Sequence, residues 1–101
     1  MQRVKMGRVS ELSSGGSIEK RILARRIAVF NIDGKLYGIE SDCKHMKASL
    51  QKGKVQNEVV TCPWHHWQYD LKTGQCLTVS KFKLKTYPVE VEGGDIFIIL
   101  N

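Results

Sequence analysis

The hydrophobic pattern carries strong strand signals and weak helical ones. Residues 18–23 and 26–32 are rich in branched and apolar side chains. Asp33-Gly34 follows, a pair that tolerates positive φ at both positions, and 36–39 completes a two-residue β-hairpin. Further short strands are predicted at 59–61, 67–70 and 75–79, with Thr73-Gly74 turning between the last two. Residues 81–85 alternate lysine with Phe82 and Leu84, the period-two signature of a half-buried strand. A closing hairpin is read over 89–91 and 95–100, turning at Gly93-Gly94, and 41–57 is read as loop. Nine or ten short strands without a long helix predict an all-β sandwich or barrel.

The chain has 101 residues, one domain's worth, with 42% hydrophobic and 26% charged residues. That excludes wholesale disorder. No apolar run approaches the ~18 residues of a membrane span. The N-terminal residues are basic with no hydrophobic stretch behind them, so no signal peptide is read and a cytoplasmic protein is expected.

Charge changes the picture once it is located. The net charge is +6. Between residues 44 and 85 there are eight lysines against two acids, Glu58 and Asp70, so the surplus lies in that segment. An imbalance this concentrated favours an acidic partner.

The three cysteines, Cys43, Cys62 and Cys76, cannot close a disulfide framework. All three histidines lie beside two of them, in Cys43-Lys44-His45 and Cys62-Pro63-Trp64-His65-His66. Thiolate and imidazole are ligands of zinc and iron. Zinc fingers usually group cysteine with cysteine and histidine with histidine. Here each segment offers one of each, which suits a dinuclear centre of two chemically different irons. The adjacent histidines leave the second imidazole ambiguous from chemistry alone. There is no Ser-His-Asp set, phosphate loop or carboxylate pair, so substrate chemistry is not expected. A zinc-stabilised interaction domain is the alternative, with nucleic acid an unlikely partner.

The pattern C-x-H-x16-C-x2-H resembles the signature of Rieske [2Fe-2S] proteins, and Trp67-x-Tyr69-Asp70-x-x-Thr73-Gly74 and Leu50 agree with it. The resemblance covers nearly the whole chain as one domain, 1–101, with a cluster-binding subdomain at about 41–79. It implies three antiparallel sheets and one [2Fe-2S] cluster per chain. Cys43 and Cys62 would bind an inner iron, and His45 and His65 an outer, reducible one. It implies an electron carrier, not an enzyme, working between a reductase and a terminal oxidoreductase such as an oxygenase. A Rieske-like small subunit of a nitrite reductase is the rival within the family. The chain departs from the family in lacking the extra cysteine of each loop that forms a disulfide in high-potential members. Trp67 replaces a serine that donates to a bridging sulfide, and His66 stands where glycine is usual. A proline-rich loop near the cluster is also missing between Leu77 and Tyr87. Tyr69 keeps a hydroxyl where some members donate to a ligand sulfur, and Cys76 reads as a buried apolar residue.

Overall fold

The computed structural model describes residues 2–43, 48–64 and 66–100. Lys44, His45, Met46, Lys47 and His65 therefore lie outside the described residues. Ten strands form three antiparallel sheets, as expected for an all-β chain. β1 (Gln2–Arg8), β10 (Asp95–Leu100) and β9 (Val89–Glu92) make the first, in the order β1-β10-β9. β2 (Ser17–Ile22), β3 (Arg25–Ile32), β4 (Lys35–Glu40) and β8 (Thr86–Tyr87) make the second. β5 (Lys54–Gln56), β6 (Val59–Thr61) and β7 (Gln68–Asp70) make the third. Two 3-10 turns, Val9–Glu11 and Leu50–Lys52, complete the elements.

The unbroken apolar run of β3 follows from its place in the middle layer. Successive strand residues point to opposite faces, so Ile27 and Val29 face one core and Ala28 and Phe30 the other. The first core joins them to Met6, Ile96 and Ile98 of the first sheet. The second joins Ala28, Phe30 and Ile39 to Leu50, Val60, Tyr69, Leu71 and all three cysteines. Each large aliphatic side chain buried there contributes about 1.5–3 kcal/mol. The β3–β4 hairpin turns as expected, with Asp33 at φ 52° and Gly34 at φ 90°.

Residues 75–79 and 81–85 are not strands. Among the described residues they form isolated bridges, Cys76 with Tyr69 of β7 and Gln75 with Lys83. The chain bends sharply between them, and Gln75 Nε2 donates to the carbonyls of Ser80 (2.8 Å) and Phe82 (3.0 Å). The Phe82 carbonyl also accepts the Cys76 N–H at 3.0 Å, so the segment closes as a loop with no continuous ladder. Lys85 N–H likewise goes to the Glu40 carboxylate at 3.1 Å. The expected alternation survives in burial: Leu84 is buried, Phe82 half-buried, and the three lysines exposed. Within the segment read as loop, 41–57, lie β5 and the Leu50–Lys52 turn.

Candidate metal centre

The second core brings Cys43 and Cys62 together. Cys43 follows β4, where Ser41 N–H bonds to Arg26 O at 2.8 Å. Its own N–H reaches across its loop to Ala48 O at 3.0 Å. Cys62 leaves β6, and its N–H bonds to Trp67 O at 2.7 Å, closing the second loop. Both thiols are fully buried and unlinked. The Cys43 thiol lies within hydrogen-bonding reach of Cys62. Burial pushes the Cys62 thiol up to about 11, the backbone N–H of Trp64 works against that shift, and the Cys43 thiol beside it adds to it.

The Tyr69 hydroxyl lies 3.4 Å from Cys43 Sγ, and the Trp64 amide favours the charged form of the Cys62 thiol. Burial opposes thiolate formation, and a bound cation at this point reverses that preference. The paired thiols, the Tyr69 hydroxyl and the Trp64 amide therefore fit an iron–sulfur centre: metal neutralises the thiolates, and the hydroxyl and amide stabilise the charge left on sulfur. His45 and His65, the remaining residues of the motif, fall outside the described residues. Pro63, Trp64 and His66, described residues of the second loop, are exposed.

His66 has φ 59°, the left-handed region where glycine is at ease. The histidine thus keeps the backbone shape that glycine would favour. Cys76 is buried, and its sulfur accepts the Val79 N–H at 3.3 Å. In the stretch without prolines, 76–82 packs against the second core that holds the cysteines, and Trp67 and Phe82 lie with ring centroids 5.5 Å apart. Val79, Trp67 and Phe82 all lean on the second core. The sequence had no signal for this packing, because it depends on Gln75 folding the segment back.

Residues 2–88 match the family model of the Rieske [2Fe-2S] domain. The chain belongs to that family. This Rieske domain is 46% identical over 76 residues to a 3-phenylpropionate/cinnamic acid dioxygenase ferredoxin subunit of Shigella flexneri serotype 5b (strain 8401). That match covers 73% of this chain and 72% of the relative. The counterpart from Escherichia coli K12 shows the same identity and coverage. Among solved structures, it resembles a chain in the complex of reduced oxygenase and oxidised ferredoxin of carbazole 1,9a-dioxygenase. The TM-score is 0.88 at 26% identity, covering 95% of this chain and 91% of that one. It shares its fold with the ferredoxin of carbazole 1,9a-dioxygenase from Nocardioides aromaticivorans IC177, at TM-score 0.87 over 97% of both chains.

A side-chain contact ties the third sheet to the middle layer. Tyr37 of β4 donates its hydroxyl to Glu58, between β5 and β6, and Lys72 pairs with the same carboxylate at 3.6 Å. The Tyr37 hydrogen bond, assisted by Lys72 and Lys35, holds the Glu58 carboxyl below its usual range, and Glu58 in turn raises the Tyr37 phenol. A lowered acid contributes stability above its unfolded value and loses it as pH falls through the folded one. A raised phenol contributes below its unfolded value and loses it as pH rises through the folded one. The contact is therefore fully present between roughly pH 4 and pH 10. Tyr37→Phe is expected to lower the urea midpoint by a constant amount across that window. The gap to the unmodified protein should narrow on both flanks, and a gap independent of pH would show that Tyr37 acts by packing.

Proposed function

We propose that this Rieske domain carries one electron at a time on a single [2Fe-2S] cluster held by Cys43, His45, Cys62 and His65. It acts in the cytoplasm between a reductase and the terminal component of an oxygenase. Residues 41–79 form the cluster-binding subdomain of a single domain, 1–101. The observation that carries this reading is the pair of buried, unlinked thiols in one core, with the Tyr69 hydroxyl 3.4 Å from Cys43 Sγ. A mixed cysteine–histidine set makes the oxidised site neutral where four thiolates would leave it doubly negative. The electron is then accepted at a potential of about −150 to +300 mV, against about −400 mV for an all-cysteine ferredoxin.

The protein's own groups supply the rest. Tyr69 and the Trp64 amide stabilise charge on sulfur. The apolar second core excludes water from the inner side, and the exposed residues Pro63, Trp64 and His66 keep the exit short. The named relatives are ferredoxin subunits of dioxygenases, which supports an oxygenase as acceptor and disfavours the nitrite reductase and zinc-domain readings.

The charge distribution bears on docking. Outside the basic segment, acids and bases neutralise one another: Arg3 with Glu90 and Glu92, and Lys5 and Arg8 with Asp95. Within it, Lys72 pairs with Glu58, while Lys52, Lys54, Lys81, Lys83 and Lys85 are exposed and form no ion pair among the described residues. We therefore place an acidic surface on the partner. Electron transfer to the oxygenase component is expected to slow about tenfold between low and physiological salt, where screening shortens to about 8 Å. Lys44→Glu or Lys47→Glu should slow association more than Arg3→Glu or Lys35→Glu. Stopped-flow oxidation of the reduced protein measures both, and equal effects at all four positions would reduce the basic segment to a solubility feature. Protein containing stoichiometric zinc and lacking visible absorption would end the electron-transfer reading altogether.

A further inference from the structure

The loop that carries Cys43 is held by a residue far from the motif. Ser41, two residues before Cys43, and Ser49, directly after Ala48, are both buried. Their hydroxyls donate to the same atom, Oε1 of Glu19 on β2, at 2.5 and 2.6 Å. One carboxylate oxygen thus joins the outgoing and returning stems of the loop. The backbone pairs the stems as well, through the Asp42–Ser49 bridge and Leu50 N–H to Ser41 O at 2.7 Å. That pairing alone does not seat the loop on the middle sheet. Besides Ser41 N–H to Arg26 O, seating comes from Glu19, from Gln51 Nε2 donating to Ser17 O at 3.2 Å, and from the Arg26–Asp42 ion pair at 2.6 Å. The second loop has its stems joined by an exposed side-chain bond, Gln68 Nε2 donating to Thr61 Oγ1 at 3.3 Å, with no buried carboxylate between them among the described residues. It is closed by its own backbone at Trp67 and by Gln68 N–H to Thr78 Oγ1 at 3.0 Å.

We propose that Glu19 is a positioning residue for the metal centre, a clasp on Ser41 and Ser49 that sets the first ligand loop against the second. The inference rests on Cys43 being a ligand, as proposed above. Hydrogen bonds from neutral donors to a carboxylate are among the stronger kinds, and both donors here are withdrawn from water. Releasing them lets the loop open locally while both cores stay folded. Such opening exposes the cluster to chelators without unfolding the domain.

The test uses the cluster-loaded protein. Glu19→Gln keeps the shape of the side chain and removes its charge, and Ser41→Ala with Ser49→Ala removes the donors and keeps the charge. Each is expected to speed bleaching of the visible absorption by a chelator about tenfold in the absence of denaturant, with the far-ultraviolet dichroism unchanged. Each should also alter the g-anisotropy of the reduced protein, because the ligand loop shifts. The triple variant should bleach no faster than either parent, since all three changes break one device. Additive rates, or an unchanged resonance in both parents, would overturn the clasp. Should Glu19→Gln fail to fold, Ser49→Ala alone, with a smaller enhancement of bleaching, tests the clasp in its place. If the unmodified protein contained no iron, the failure would belong to the ligand assignment and not to Glu19.

Discussion

His65→Ala is expected to lose or badly disrupt the cluster, and His66→Ala to keep it. The two residues are adjacent and chemically identical, so the comparison isolates position from chemistry. Removing a ligand imidazole leaves an iron with an open coordination site, and a half-held cluster is readily hydrolysed. His66 is exposed and occupies a left-handed turn position at φ 59°. Its replacement changes the turn by about 1 kcal/mol at most and removes no ligand. Cys62→Ser should behave like His65→Ala, because Cys62 is buried in the second core beside Cys43. Iron and acid-labile sulfide per chain, together with the resonance of the reduced protein, measure the outcome. Two irons and two sulfides are expected in the unmodified protein and in His66→Ala. The reverse pattern would place the motif one residue out of register.

The largest expected effect on stability is at Gly74. Its φ is 81°, and a Cβ there would lie 2.0 Å from the carbonyl oxygen of Leu84 and 3.0 Å from the carbonyl carbon. Backbone lies on the other side of that collision, so no side-chain rotation relieves it. The closeness is built in: Leu84 N–H bonds to Gly74 O at 2.8 Å and Gly74 N–H to Asp70 O at 2.7 Å. Strain at the left-handed position and overpacking add, so Gly74→Ala should cost about 4 kcal/mol. In a domain of this size that lowers the melting temperature by about 15–30 °C. Gly34 provides the control. Its φ is 90° but nothing lies within 4 Å of its added Cβ, so Gly34→Ala should cost only about 1–2 kcal/mol. Equal losses in the two variants would mean that strain alone matters and that the Leu84 contact yields.

Much of this was legible in the chain. β3, β4 and β10 are apolar enough to declare themselves, and Asp33-Gly34 names its own turn. β1 escaped because only Val4 and Met6 face inward among Gln2, Arg3, Lys5 and Arg8. β5 has a single apolar residue, Val55, and the two-residue β8 is too short to show a period. The error at 81–85 is of another kind. Alternation there reports burial correctly, but a strand also needs a partner ladder, and the Gln75 side chain and the bend after Cys76 remove it. The site divides in the same way. The paired cysteines and histidines could be read as metal ligands because ligand chemistry demands those residues at short spacing. Glu19 could not, since a glutamate in a strand among Ile18, Lys20 and Arg21 is indistinguishable from a solvent-facing charge until the loop is folded onto it.

The pairing of β1 with β10 has a bearing on how the molecule comes into being. Gln2 lies opposite Leu100 and Arg8 opposite Asp95, so the first strand waits for the last. The third sheet, by contrast, is built from neighbours between Lys54 and Asp70. Local hairpins close at little entropic cost, whereas contacts spanning most of the chain are slow to form. As the polypeptide leaves the ribosome, both cysteine loops have emerged before the strand that completes the first sheet. The nascent chain thus passes through an interval in which Cys43 and Cys62 are present on a scaffold that is still open at one edge, and delivery of a cluster to the proposed ligands has that interval in which to act.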